Sequence, residues 1–93
     1  MSENKELEKI REEIDGLDSK LLSLLNKRLR LAQNAGFAKK DEVIYRPERE
    51  ADIYRKLKRS NKGPLVNKQI VDIFNEIISS CRATEEEIDV EYL

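Results

Sequence analysis

The sequence contains no histidine and no tryptophan, and it has one cysteine, one methionine, two prolines and three glycines. Each scarcity closes a class of function. With no histidine and a single cysteine, the residues for a zinc site are missing, and no imidazole is available to activate a nucleophile. One cysteine cannot form an intrachain disulfide, which points to a reducing compartment, the cytoplasm. Apolar runs stop after a few residues, far short of the roughly 20 that span a bilayer, and no basic, then apolar, leader opens the chain. An excess of one charge is also missing. The 18 Lys and Arg against 19 Asp and Glu leave a net charge of −1, not the basic footprint of a nucleic-acid binder.

What is present is charge and helix-forming pattern. Charged residues make up 40% of the 93 residues, hydrophobic residues 39% and aromatics 5%, whereas an average globular chain is about 25% charged. A single domain of this size buries only a little over ~60% of its unfolded surface. With so few large apolar side chains, it needs a partner. The rare Gly and Pro residues punctuate the chain. Gly63-Pro64 after Ser60-Asn61-Lys62 marks a break, and Pro47 before Glu48-Arg49-Glu50 suits the first turn of a helix. Three helices are predicted, at roughly residues 4–39, 47–60 and 66–87. The only strand-like stretch between them, Val43-Ile44-Tyr45, is too short to carry a sheet. Residues 1–87 form one domain, and residues 88–93 read as an exit from helix into a linker or a further domain. The expected class is all-α, a helical bundle of three helices per chain, the first very long.

The first segment is the most regular. Leu7, Ile10, Ile14, Leu17, Leu21, Leu24, Arg28, Leu31, Ala35 and Ala38 recur at alternating spacings of three and four, a heptad seam with Arg28 out of character. A continuous helix over this stretch is about 54 Å long, against a diameter of about 30 Å for a compact chain of this size. It therefore either breaks near Gly16 or is covered by a second subunit. The spacing passes Gly16 without a change of phase, which favours a dimer. In the third segment Ile70, Ile73, Phe74, Ile77, Ile78 and Cys81 form one apolar face, and the same row continues to Glu85. The second segment is weaker, with Ala51, Ile53, Tyr54 and Leu57.

Two charged residues sit where apolar ones are expected. Arg28 reads either as a register-setting polar residue in the seam or as part of a binding site. Lys39 lies 11 residues further on, which places it within about 20° of Arg28 and about 16 Å along the axis. Arg11 is 17 residues before Arg28, about 25 Å away, so one small ligand cannot bridge the two on one straight helix. An antiparallel partner helix crossing near Leu21-Leu22 would bring its own Arg11 between Arg28 and Lys39. Cations converging on a dry interior are tolerated when an anion sits among them. Arginine forks suit carboxylates, so the pocket fits a small dicarboxylate. Glu85 reads either as the acidic, fraying end of a helix or as a site residue. Cys81 alone reads as a small core residue.

At these residues the sequence resembles the all-helical class of chorismate mutase. Leu7, Ile10-Arg11, Ile14, Leu17-Asp18, Leu21-Leu22, Leu24-Leu25, Arg28, Leu31-Ala32, Gly36 and Ala38-Lys39 look like that family's first helix. Tyr45-Arg46-Pro47-Glu48-Arg49-Glu50 looks like the start of its second, and Ile73-Phe74, Glu76-Ile77-Ile78-Ser79 and Cys81-Arg82-Ala83 look like its third. The tail Val90-Glu91-Tyr92-Leu93 looks like the first strand of a prephenate dehydratase domain, as in a bifunctional mutase–dehydratase of phenylalanine synthesis.

The resemblance implies an intertwined homodimer with two shared sites, each borrowing Arg11 from the other chain, and the isomerisation of chorismate to prephenate without metal or cofactor. It implies that Arg11, Arg28 and Arg49 hold the two carboxylates and that Lys39 binds a carboxylate and the ether oxygen. Glu50 would accept the ring hydroxyl, Cys81 would line the carboxylate end, and Glu85 would donate to the ether oxygen. Arg46 stands where some relatives have Asp, and arginine cannot accept a hydrogen bond. Two other readings stay open: a non-catalytic helical dimerisation or anion-sensing module, and a pyruvate lyase on the same scaffold.

Overall fold

The computed structural model describes the backbone of residues 2–38 and 47–92 and the side chains of residues 4–38 and 47–84. Within them lie three helices, α1 (Ser2–Ala38), α2 (Pro47–Ser60) and α3 (Asn67–Tyr92), and no strand. The expected helix starts hold to within two residues. Val43-Ile44-Tyr45 lies outside the described residues.

The local causes of each boundary are legible. Pro47 opens α2 at a position where its missing N–H costs nothing. Glu48 and Glu50 lie in the first turn and Lys58 and Arg59 in the last, each with the sign that the helix dipole favours. The turn after α2 is organised by Asn61. Its Oδ1 accepts from the Gly63 N–H at 3.0 Å and its Nδ2 donates to the Leu65 carbonyl at 2.7 Å. Gly63 takes φ +78°, a conformation that a side chain would strain. α3 then starts with Gln69 Oε1 accepting from the Val66 N–H at 3.0 Å, the reach-back half of a capping box. At the other end the structure corrects the expected exit near residue 87. The helical run continues to Tyr92, because nothing from Glu85 to Tyr92 is a Gly or Pro that would stop it.

α2 and α3 fold back on each other as an antiparallel hairpin, and α3 also packs on α1, while α1 and α2 do not touch among the described residues. The core is correspondingly small. Ala32, Ile70, Ile78 and Cys81 are its buried apolar side chains, with Gly36 buried beside them. Along α1 the row Leu25, Leu29, Ala32 and Gly36 carries the packing, and Leu25 and Leu29 lie opposite Ile77 and Cys81 of α3. Ile73, expected on the apolar face of α3, is exposed. It lies on the flank turned away from the side that Ile78 and α2 occupy, about 140° round the helix from Ile78.

α1 runs through Gly16 without a break. At 37 residues it is about 55 Å long, and it sets the molecule's extents of 62 × 27 × 15 Å and its radius of gyration of 17.5 Å. A compact chain of this length has a radius of gyration of about 12 Å. Every side chain from residue 4 to 27 is exposed. The heptad seam is therefore not the chain's own core: Leu17 is 58% exposed, Leu24 61% and Leu31 59%. In the C-terminal half of α1 the seam lies about 100° round the helix from the row that α3 covers. α1 thus carries two apolar faces, of which one is covered among the described residues.

Candidate functional site

Site chemistry starts from what each helix does with its charges. The unbroken α1 fixes the separation of Arg11 and Arg28 at about 25 Å. Arg11 stands exposed on the uncovered stretch. Arg28 is half-buried, at a helical angle between the face that α3 covers and the free seam. Within one chain these two cations do not meet. Arg49, in the first turn of α2, is exposed.

A cleft of about 260 Å³ opens between α1 and α3. Leu25, Asn26 and Leu29 form one wall, and Glu76, Ile77, Ser80 and Cys81 the other. Asn26 donates to the Leu22 carbonyl of its own helix at 3.1 Å. Cys81 is only 6% exposed, so it is both a core residue and part of the cleft wall.

On the other side of α3, Glu50 of α2 meets Arg82. Arg82 Nη1 donates to Glu50 Oε2 at 2.6 Å, with both side chains partly buried. Tyr54, one turn beyond Glu50, is half-buried beside them. Its phenol pKa is raised above the usual 10.0, first by burial, then by the Glu50 carboxylate, against a lowering by Arg82. The other two described ion pairs, Arg55–Asp52 and Lys68–Asp72, lie within single helices and are exposed.

Among the predicted site residues, the structure brings Cys81 to the α1–α3 cleft and Glu50 to the α2–α3 joint. It leaves Arg11 apart from Arg28. Lys39 and Arg46 lie outside the described residues, and of Glu85 only the backbone, in the C-terminal part of α3, is described. Sequence reasoning did not single out Arg82 or Tyr54. Arg82 and Glu50 are 32 residues apart on different helices, and no periodicity links them. Among the described residues no group of three or more His, Cys, Asp or Glu could hold a metal ion, and no helix is long and apolar enough to cross a membrane.

Comparison with known proteins gives this arrangement a family. The bifunctional chorismate mutase/prephenate dehydratase of Pseudomonas aeruginosa is 41% identical over an alignment that covers 100% of the chain and 27% of the relative. The bifunctional enzyme of the same description from Aquifex aeolicus is 42% identical, with 95% of the chain and 26% of the relative covered. The chain thus spans about a quarter of the length of these relatives. Among solved structures, the chorismate mutase of Helicobacter pylori in complex with prephenate superposes with a TM-score of 0.85 at 32% identity, over 94% of this chain and 96% of that one. The family model for chorismate mutase type II matches residues 10–86, and the chain belongs to that family.

Proposed function

We propose that the chain converts chorismate to prephenate as an intertwined homodimer whose two sites each draw on both subunits. One observation carries the shared-site reading. Arg11 and Arg28 sit about 25 Å apart on one unbroken helix, and the seam between them is uncovered. Only a second chain lying along that seam can bring an Arg11 to an Arg28.

The reaction breaks the ether C–O bond and forms a C–C bond within one molecule, so it needs no nucleophile. Arg28 and Arg49 of one chain and Arg11 of the partner chain clamp the two carboxylates, holding the enolpyruvyl arm over the ring. Lys39 and Glu85 face the ether oxygen, where negative charge grows as the bond breaks. Glu85 donates there only when protonated. Glu50 accepts the ring hydroxyl, and Cys81 lines the carboxylate end. The site works in the cytoplasm.

The decisive experiment follows chorismate spectrophotometrically and identifies the product. Prephenate supports the reading, released pyruvate replaces it with a lyase, and no turnover leaves a dimerisation or anion-sensing module. Mixing then tests sharing. Arg11→Ala and Arg28→Ala chains are each inactive alone and regain activity when co-refolded, because one site of the heterodimer draws both intact arginines. No recovery in any mixture overturns the shared site. For Glu85, wild-type activity falls as pH rises and deprotonates the donor, whereas Glu85→Gln is flat. Coinciding profiles remove Glu85 from the chemistry.

A further inference from the structure

The Glu50–Arg82 pair is the ion pair that joins two helices among the described residues, and it sits in a partly dry setting. The Arg82 side chain is 30% exposed and that of Glu50 21%. The intrahelical pairs, by contrast, keep both partners 46% exposed or more. A pair placed this way restricts side-chain freedom that a surface pair leaves open. A carboxylate offers about four lone-pair sites on two oxygens. Arg82 takes Oε2, and Oε1 has no partner among the described residues.

We propose that Arg82 is a positioning residue for the reaction: by holding Glu50 Oε2 it presents Oε1 to the ring hydroxyl of the substrate. This rests on the role of Glu50 in the reading above. Three side-chain torsions separate a glutamate carboxylate from its backbone, and an acceptor that must find its orientation on each encounter loses part of the advantage of proximity. Arg82 removes that search before substrate arrives. Through this one Nη1 contact the carboxylate is tied to the same helix that carries Cys81. Tyr54 lies one turn beyond Glu50 on the same helix and is half-buried.

The test uses the dimeric protein, chorismate, and a chorismate analogue lacking the ring hydroxyl as competing ligand. Arg82→Met is expected to lower kcat/KM for chorismate about tenfold or more, while the analogue's inhibition constant changes at least fivefold less. Arg82→Lys keeps the charge and recovers part of the loss. In a Glu50→Gln background Arg82→Met costs less than twofold further. The KM for chorismate and the analogue's inhibition constant do not depend on how much of the protein has folded, and kcat is referred to the folded fraction measured by circular dichroism on the same sample, so a poorly folding Arg82→Met chain still reports. Equal losses for both ligands, or no loss for either, overturn the positioning role. A wild-type protein that does not rearrange chorismate overturns the functional reading, and this role falls with it.

Discussion

The two halves of α1 have the same kind of sequence and opposite surroundings. From residue 4 to 27 every side chain is exposed although the seam is as leucine-rich as any core. From Leu29 to Gly36 a second row, on another side of the same helix, lies against α3. The difference teaches that apolar periodicity announces a contact without naming its owner. The C-terminal half meets its own chain, and the N-terminal half stays exposed. At about 25 cal/mol per Å², so long an exposed leucine row is a large unspent driving force, which is the physical argument for a dimer.

The sharpest way to break this comparison is to charge the free seam. Leu17→Glu together with Leu21→Glu buries two unpaired carboxylates in the proposed interface. Sedimentation should show loss of the dimer, with activity falling at least ~100-fold because Arg11 no longer reaches its site. A fully active double variant would mean that the seam has no partner.

The chain's own core should respond differently. Ile78 is 6% exposed, and Ile78→Ala leaves a cavity worth about 2–4 kcal/mol. Denaturant melts should show that loss, with the dimer still forming at high concentration. Arg28→Leu sits between the two faces. It should abolish turnover yet raise the melting temperature by a few degrees, about 1 kcal/mol, since a partly buried cation gives way to an apolar seam residue. A strongly destabilised Arg28→Leu protein would make Arg28 structural instead.

Gly16 sharpens the exposed side. A Cβ built there meets nothing within 4 Å, and its helical angle is over ~100° from the seam. Gly16→Ala should therefore add about 1 kcal/mol of helix stability without touching activity. A loss instead would show that the second chain passes close to Gly16. The smallest effect concerns Tyr54. Its pKa is raised in the fold above 10.0, so the folded chain keeps the phenol proton to higher pH than the unfolded chain does. Its contribution is whole below the unfolded value and is lost as pH rises through the folded one. Tyr54→Phe should flatten the alkaline fall in melting temperature above that pH. Unchanged curvature would place the titration elsewhere.

Much of the architecture was legible from local pattern. Pro47, Gly63 and the 3–4 spacing across Gly16 marked the helices because capping chemistry and amphipathic period act within a few residues. The end of α3 was misjudged because an acidic, β-branched stretch has no stop signal of its own, only a weaker propensity. Ile73 belongs to the apolar row of α3 yet is exposed, because a six-residue apolar row does not say which edge meets a neighbour. Of the site, Arg28 was visible as a charge in an apolar row, and the separation of Arg11 from Arg28 followed from helix rise. The Glu50–Arg82 pair was invisible, since two opposite charges 32 residues apart look like any others in a chain that is 40% charged.

By itself the sequence determined three helices, their starts, the unbroken first helix and the long apolar row along it. Each follows from interactions between residues close along the chain, where backbone geometry converts spacing into direction. Tertiary structure alone decided which row of α1 α3 would cover, that the buried Cys81 would face a cleft shared with α1, and that Arg82 would meet Glu50. Those outcomes depend on how α3 packs against α1 and α2, and long-range packing is set by the sum of many small contacts that no short stretch of sequence contains.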